Sequence, residues 1–538
     1  MRSRPLFLIL GFAVTVLLGY WLAATAAPRK IVRMKSAPLE SVAARTVIVD
    51  EPAPRFRKEK RGPVSWHDDE AVAAGALPGQ RVLVFKDKAA LEEFLKKAGD
   101  KVRLLGRLDA LHALRIAVSG GQDLASLLTR KEEASLIFPV NLPTPGDASA
   151  QPGAVALGAG LLDWLGITGD NSAWGRGVTV AILDTGVASS PGFSSRISSV
   201  NLIEMLSDAA AQSGHGTAVA SMIVGRNSLT PGVAPGADIL SIRIANDSGQ
   251  SDSFFLAQGI VAAVDAGASL INISMGSFGD SALVRNAIEY ARTAGALIVA
   301  AAGNNGLKRV SYPAANSGVI AVGAVDALGN HLDFSNSGTQ VAISAPGFGV
   351  NAAWTGDKAA SVSGTSFSAP IVTGAIAALM SQPGAARLTP QQAQALLFAY
   401  LNDGGEVGND SALGGGSPDI GRVLNRKKPG IYDAALASQR FIAPDAAFPY
   451  GQIEIMVQNR GTETLINTAV RISTPNGVVN SNITSLPVNG VKTLRVPVSR
   501  RASGALQYDS EVRLSGGRTD SKPSNDRRAE SYVPSVGQ

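Results

Sequence analysis

Residues 177–187 read GVTVAILDTGV: a hydrophobic run without period-two alternation that ends on Asp184 and turns at once on Thr185 and Gly186. A strand that alternates apolar and polar residues has one wet face, whereas an unbroken apolar run is buried on both faces, as in a parallel sheet covered by crossover helices. The same texture returns in ADILSIRI, ASLINIS, GALIVAAA and GVIAVGAV, separated by stretches of helical period. From about residue 161 to residue 424 the chain is therefore predicted to be an α/β domain built on a parallel sheet.

In such a sheet reactive groups gather at the carboxyl ends of strands and at the amino ends of the following helices. Asp184 closes its strand at that edge. An Asp-Thr-Gly triplet is also compatible with half of a two-carboxylate site or with an ordinary turn. The chain holds no second Asp-Thr-Gly, and its surroundings are α/β rather than all-β, which argues against a carboxylate dyad. His215, one of four histidines, lies thirty-one residues on in SGHGTAVASMIVG, flanked by glycines at a helix start. Positive potential at a helix amino terminus favours the neutral imidazole that a general base needs. Ser366, in SVSGTSFSAPIVTGAIAALM, occupies a loop-to-helix junction, where its hydroxyl can project while free backbone N–H groups face a developing oxyanion. Asn304, in VAAAGNNG, follows another strand and can offer a second donor. The order Asp, His, Ser within one α/β domain matches one of the known serine-triad arrangements.

These segments resemble the subtilisin-like serine proteases (subtilases, peptidase family S8): VAILDTGV, GHGTAVA, AAGNNG and GTSFSAPIVTGAIA, with GVAPGADILSIRI, DSGQS and INISMGS, about 265 residues in all. The resemblance implies that Ser366 attacks the peptide carbonyl, His215 carries the proton and Asp184 orients the imidazole. It implies that Asn304 and the Ser366 N–H hold the oxyanion. Ser248, Gly249 and Gln250 on one side and Ser274, Met275 and Gly276 on the other would flank an extended protein or peptide substrate as strand partners. No cofactor is required for that chemistry. The stretch GRNSLTPGVAP is shorter than the calcium-binding loop of well-known members, so structural calcium stays unassigned.

The rest of the chain is read around this unit. At 538 residues, with 45% apolar and 17% charged residues, it has the composition of several packed domains. It contains no cysteine, which removes disulfides, thiolate metal sites and a thiol nucleophile. The net charge of +6 gives no ground for nucleic-acid binding: residues 1–62 hold twelve Lys/Arg against four Asp/Glu, while residues 63–424 hold twenty-two against thirty. Residues 1–27, with two arginines before an uncharged run from Leu6 to Ala27, are expected to direct export, either as a cleaved signal or as a membrane anchor. Residues 28–77 read as a basic, Pro-rich linker. Residues 78–142 give a β-α-β-β-α-β order, predicted to be ferredoxin-like, with a second helix over DLASLLTRK and a last strand over Ser135–Asn141. By resemblance this unit is the propeptide, an intramolecular inhibitor, with self-processing expected between residues 141 and 151. The Gly/Pro/Ala-rich stretch from Leu142 reads as a linker to a catalytic domain at 155–425. Residues 430–533 alternate apolar and polar residues between turns and are predicted to form an immunoglobulin-like β-sandwich. A monomer is expected. Two other readings exist: an acid peptidase using Glu and Asp, disfavoured by His215 and Asn304, and a surface-binding protein carrying an inactive protease fold.

Overall fold

The structure is a computed structural model that describes residues 68–118, 128, 132–146, 151–188, 192–193, 196–203, 213–382, 386–474, 477–498 and 505–532. The expected export segment, most of the basic linker and nearly all of the predicted helix over 123–131 lie outside these residues.

The first unit contains β1 (Gln80–Val84), α1 (Lys88–Ala98), β2 (Arg103–Leu108), β3 (Ala113–Ala117) and β4 (Glu133–Ser135). Its antiparallel sheet has the order β2-β3-β1-β4. Asp87 starts α1 by accepting a hydrogen bond from the Ala90 N–H at 2.8 Å, and Leu91, Phe94 and Ala98 form its buried stripe against the sheet. The predicted single strand over 135–141 is divided. Residues 133–135 close this sheet, whereas β5 (Pro139–Asn141) leaves it and pairs elsewhere. Pro139 has no N–H to give to a ladder, which suits a segment that crosses from one sheet to another.

The central unit is a seven-stranded sheet of β6 (Thr179–Asp184), β7 (Ile197–Asn201), β8 (Asp238–Arg243), β10 (Leu270–Ile273), β11 (Leu297–Ala301), β12 (Val319–Val325) and β13 (Val341–Pro346), in the order β13-β12-β11-β10-β6-β8-β7. A short β9 (Gln250–Asp252) stands outside it. Every pairing in this sheet is parallel. The five predicted strands are β6, β8, β10, β11 and β12. The sequence reading missed β7, a short edge strand that is Ser-rich and largely exposed, and β13, which ends on a proline.

Helices α2 (His215–Val224) and α5 (Thr365–Met380) pack on one side of the sheet, and α3 (Ser253–Asp265) and α4 (Ala282–Thr293) belong to a second apolar cluster on the other. All sixteen residues of α5 are buried, and its Ala, Gly, Ser and Thr side chains let it approach both α2 and the sheet closely.

Beyond residue 430 the chain forms two antiparallel sheets. One contains β14 (Ala434–Ile442), β15 (Gln452–Asn459) and β18 (Val491–Pro497); the other contains β16 (Leu465–Thr474), β17 (Gly477–Leu486), β19 (Leu506–Arg513) and β20 (Arg527–Tyr532). They share a core that includes Ile453, Ile455, Val457, Val470, Ile472, Tyr508 and Val512. Strands β14, β17 and β20 were not anticipated: β17 is largely exposed and polar, and half of the residues of β20 are charged. This unit is joined to the central one by Arg422, whose guanidinium donates to the Leu401 carbonyl and to Asn489 Oδ1 at 2.8 and 2.7 Å. Arg528 adds a bond to Asn330.

Candidate active site

Asp184, the last residue of β6, is fully buried, and His215 is the first residue of α2. The Asp184 carboxylate faces His215 Nδ1, with Oδ1 and Oδ2 at 2.9 and 3.0 Å. Thr185 fixes the carboxylate from behind through its N–H at 2.7 Å and its hydroxyl at 3.1 Å, both to Oδ1. A carboxylate on Nδ1 leaves Nε2 as the basic nitrogen of the neutral ring. Gly216 is required by close approach: a Cβ there would stand 2.2 Å from the Gly186 carbonyl oxygen.

Ser366 lies in the first turn of α5, 2% exposed. Its carbonyl would normally accept the N–H of the residue four positions later, but that residue is Pro370, which has none. The Ser274 hydroxyl supplies the missing donor at 2.7 Å, and the Ser366 hydroxyl donates back to the Ser274 carbonyl at 3.0 Å. Among the described residues no hydrogen bond joins Ser366 to His215. The His215 ring packs against Phe367, with ring centroids 5.3 Å apart.

Asn304 follows β11, with its amide carbonyl held by the Thr365 N–H and hydroxyl at 2.9 and 2.7 Å, so that its NH₂ points outward. Gly364 lies at φ 141°, and a Cβ there would fall 2.6 Å from that NH₂ nitrogen. The structure thus brings Asp184, His215, Ser366 and Asn304 to one edge of the sheet. Sequence reading did not single out Thr365 or Thr185. Each lies next to a recognised residue and carries a hydroxyl, the only local signal for a supporting role.

The cleft contains the chain's own residues 139–146. Strand β5 pairs antiparallel with β9, Asn141 opposite Gln250, Val140 opposite Ser251 and Pro139 opposite Asp252. On its other side Asn141 exchanges both backbone bonds with Gly276, at 3.0 and 2.9 Å. Leu142 N–H donates to the Gly249 carbonyl at 2.8 Å, the Asn304 amide donates to the Thr144 carbonyl at 2.8 Å, and Gly146 N–H donates to the Ser363 carbonyl at 3.1 Å. The stretch predicted as a plain linker therefore begins bound in the cleft, through Leu142, Thr144 and Gly146, directly after a strand that completes two strand edges at once.

Of the six predicted strand partners, Gly249, Gln250 and Gly276 engage this segment. Ser274 holds Ser366 instead, Met275 is buried in the core, and Ser248 donates its N–H to Asn246 within its own turn. Ser251 and Asp252 were missed. Asp252 also takes Arg115 of the first unit at 2.8 Å, with the Arg115 guanidinium 5.7 and 5.4 Å from the ring centroids of Phe254 and Phe255. A separate cavity of about 530 Å³, between the central and C-terminal units beside Trp164, Asp403 and Arg528, contains none of the four candidate catalytic residues. Among the described residues no group of three His, Asp or Glu side chains gathers as a metal cage.

A buried aspartate on a histidine, a helix-start serine and an aimed amide are the parts of a serine-type catalytic site. Residues 175–416 match the Subtilase family model. The chain is 41% identical over 212 residues to the thermostable alkaline protease of Halalkalibacterium halodurans, covering 39% of this chain and 58% of that protein. It is 35% identical over 338 residues to the M-protease of Shouchella clausii, covering 59% of this chain and 85% of that one. Against subtilisin Savinase of Lederbergia lenta the identity is 38% over 210 residues, 39% of this chain and 77% of the other. The chain belongs to the subtilase family. Its fold is similar to that of fervidolysin from Fervidobacterium pennivorans, a keratinolytic enzyme related to subtilisin, with a TM-score of 0.56 at 22% identity, over 85% of this chain and 76% of that one.

Proposed function

We propose that the protein is an exported endopeptidase that hydrolyses peptide bonds through Ser366, His215 and Asp184, and that its N-terminal unit keeps it as a zymogen. The observation that carries this reading is the Asn304 amide on the Thr144 carbonyl: an extended peptide enters the cleft and one of its carbonyls meets the oxyanion donor.

In a substrate, Ser366 Oγ would attack that carbonyl while His215 Nε2 takes the hydroxyl proton. The resulting imidazolium would be stabilised by Asp184, and the proton then delivered to the leaving nitrogen; water would repeat the sequence to release the acyl group. For the serine to engage, its hydroxyl must turn from the Ser274 carbonyl to His215. Such contacts commonly tighten only in the substrate complex. Main-chain pairing with Gly249, Gln250 and Gly276 favours any extended peptide, so broad acceptance of protein substrates is expected. Export rests on the uncharged run 6–27; among the described residues no helix is long and apolar enough to cross a membrane.

The test is hydrolysis of casein by the full chain after brief treatment with an unrelated endopeptidase, beside a Ser366→Ala chain treated identically. Activity in the first and its loss in the second is the expected result. Equal rates would refute the assignment.

A further inference from the structure

The peptide seated at the oxyanion donor is the bond between Thr144 and Pro145. Two anchors fix that register: the Leu142 N–H on the Gly249 carbonyl before it, and the Gly146 N–H on the Ser363 carbonyl after it. The residue on the leaving side is thus a proline, and Leu142–Pro143, two bonds upstream, has a proline in the same place.

For the seated bond to be cut, Ser366 Oγ must bond to the Thr144 carbonyl carbon and the C–N bond to Pro145 must break. The nitrogen must leave with a proton from His215. In an ordinary peptide the pyramidal nitrogen of the tetrahedral adduct presents its lone pair to the imidazolium by exchanging it with a hydrogen. In proline the corresponding place is filled by the ring Cδ, and the ring ties the nitrogen back to its own Cα, so the exchange cannot occur without carrying the ring carbons with it. The nitrogen stays unprotonated, and the adduct collapses by expelling the serine rather than the amine.

We infer that residues 142–146 are a non-scissile plug: the N-terminal unit fills the cleft through a proline-protected bond that the triad does not cut, and its removal falls to a second endopeptidase. This rests on the peptidase reading above. It replaces self-processing by maturation in trans, and makes the resting protein an intact, self-inhibited chain.

The experiment compares full-length wild type, Pro145→Ala, Pro145→Ser and the Pro145→Ala/Ser366→Ala double variant by intact mass and N-terminal sequencing. Each is also incubated with a fluorophosphonate that labels reactive serines, before and after a brief cut by an unrelated endopeptidase. Pro145 is exposed, so neither substitution disturbs the core. The expected result is a wild type that keeps its N-terminal unit. Both single variants become cut after Thr144, with residue 145 as the new terminus, and the double variant stays whole. A wild type that sheds the unit while the double variant keeps it would overturn the inference. So would single variants that label at Ser366 yet remain uncut after Thr144, which leaves the peptidase reading standing. Absence of labelling in every chain, even after the added endopeptidase, sinks the peptidase reading and the plug with it.

Discussion

Ser274 and Ser366 exchange hydrogen bonds: the Ser274 hydroxyl donates to the Ser366 carbonyl at 2.7 Å and the Ser366 hydroxyl returns one to the Ser274 carbonyl at 3.0 Å. The first exists because Pro370 leaves a helical carbonyl without its N–H. Ser274→Ala therefore strands a buried acceptor and is expected to cost about 1–3 kcal/mol in thermal or denaturant unfolding. Adding Pro370→Ala supplies the absent N–H and should recover part of that loss. If the double variant is less stable than Ser274→Ala alone, the proline is not the cause of the vacancy.

Asn304 works only as well as Thr365 aims it. On the chain freed of its N-terminal unit, Asn304→Ala is expected to lower kcat by about 10²–10³-fold with KM little changed, a range measured on a subtilisin and carried over here. Thr365→Val removes the hydroxyl donor at 2.7 Å but keeps the N–H, so its loss should be smaller and again confined to kcat. Gly364→Ala, forced to φ 141° with its Cβ against the Asn304 amide, should be worse than Thr365→Val. A KM effect larger than the kcat effect would assign Asn304 to substrate binding instead.

Ser366→Ala should leave the melting temperature within a degree or two of wild type, roughly the effect of losing one weak hydrogen bond in a domain this large. It should remove nearly all turnover, leaving only what the oxyanion donors provide. Folding measured by circular dichroism beside casein hydrolysis separates the two. A Ser366→Ala chain that hydrolyses casein at half the wild-type rate would discard the triad.

The parts of the fold legible in the sequence were those whose chemistry is local. The strands ending at Asp184, Arg243, Ile273, Ala301 and Val325 are apolar on both faces, so their burial is written in each segment. His215 and Ser366 declare themselves through the glycines that let backbone pass close by. What stayed illegible depends on partners far away in sequence. Strand β7 looks polar because it is a sheet edge whose serines and asparagine meet solvent. Val140 reads as the end of one strand because nothing local announces that Pro139 will hand the chain over to Ser251. The prolines of Leu-Pro-Thr-Pro, residues 142–145, mark a linker in isolation and acquire chemical meaning only beside Asn304 and Ser363.

Arg115 ties the N-terminal unit to the cleft. Its guanidinium meets Asp252 at 2.8 Å, with both side chains nearly buried, and it lies near Phe254 and Phe255. Asp252 also caps α3 through the N–H groups of Phe254 and Phe255, so Arg115→Ala leaves it partly satisfied. Removing one partner of such a pair costs about 2–5 kcal/mol. Asp252 keeps its cap, so the low end applies, a shift of tens-fold in favour of the undocked unit. The expected readout is faster fluorophosphonate labelling of Ser366 in the full-length variant, with Arg115→Lys intermediate. An unchanged labelling rate would show that strand pairing alone holds the unit.

Stability should also respond to pH through the C-terminal unit. Burial, reinforced by Asp520 and Asp433, pushes the Asp526 carboxyl up to about 7. Asp520 and Asp433 are engaged with the Ala434 N–H and the Asn525 amide, so neither can turn away. A carboxyl whose pKa is raised in the folded state is protonated there while the unfolded chain is already ionised. The folded state thus holds more protons between the ordinary carboxyl range and about pH 7, and stability falls as pH rises through that window. Above it the penalty is complete. Asp526→Asn keeps the shape without the charge, so it should raise the melting temperature at pH 8 and leave it nearly unchanged at pH 4. An equal shift at both values would mean that the carboxyl is ionised throughout, or that the substitution acts through packing.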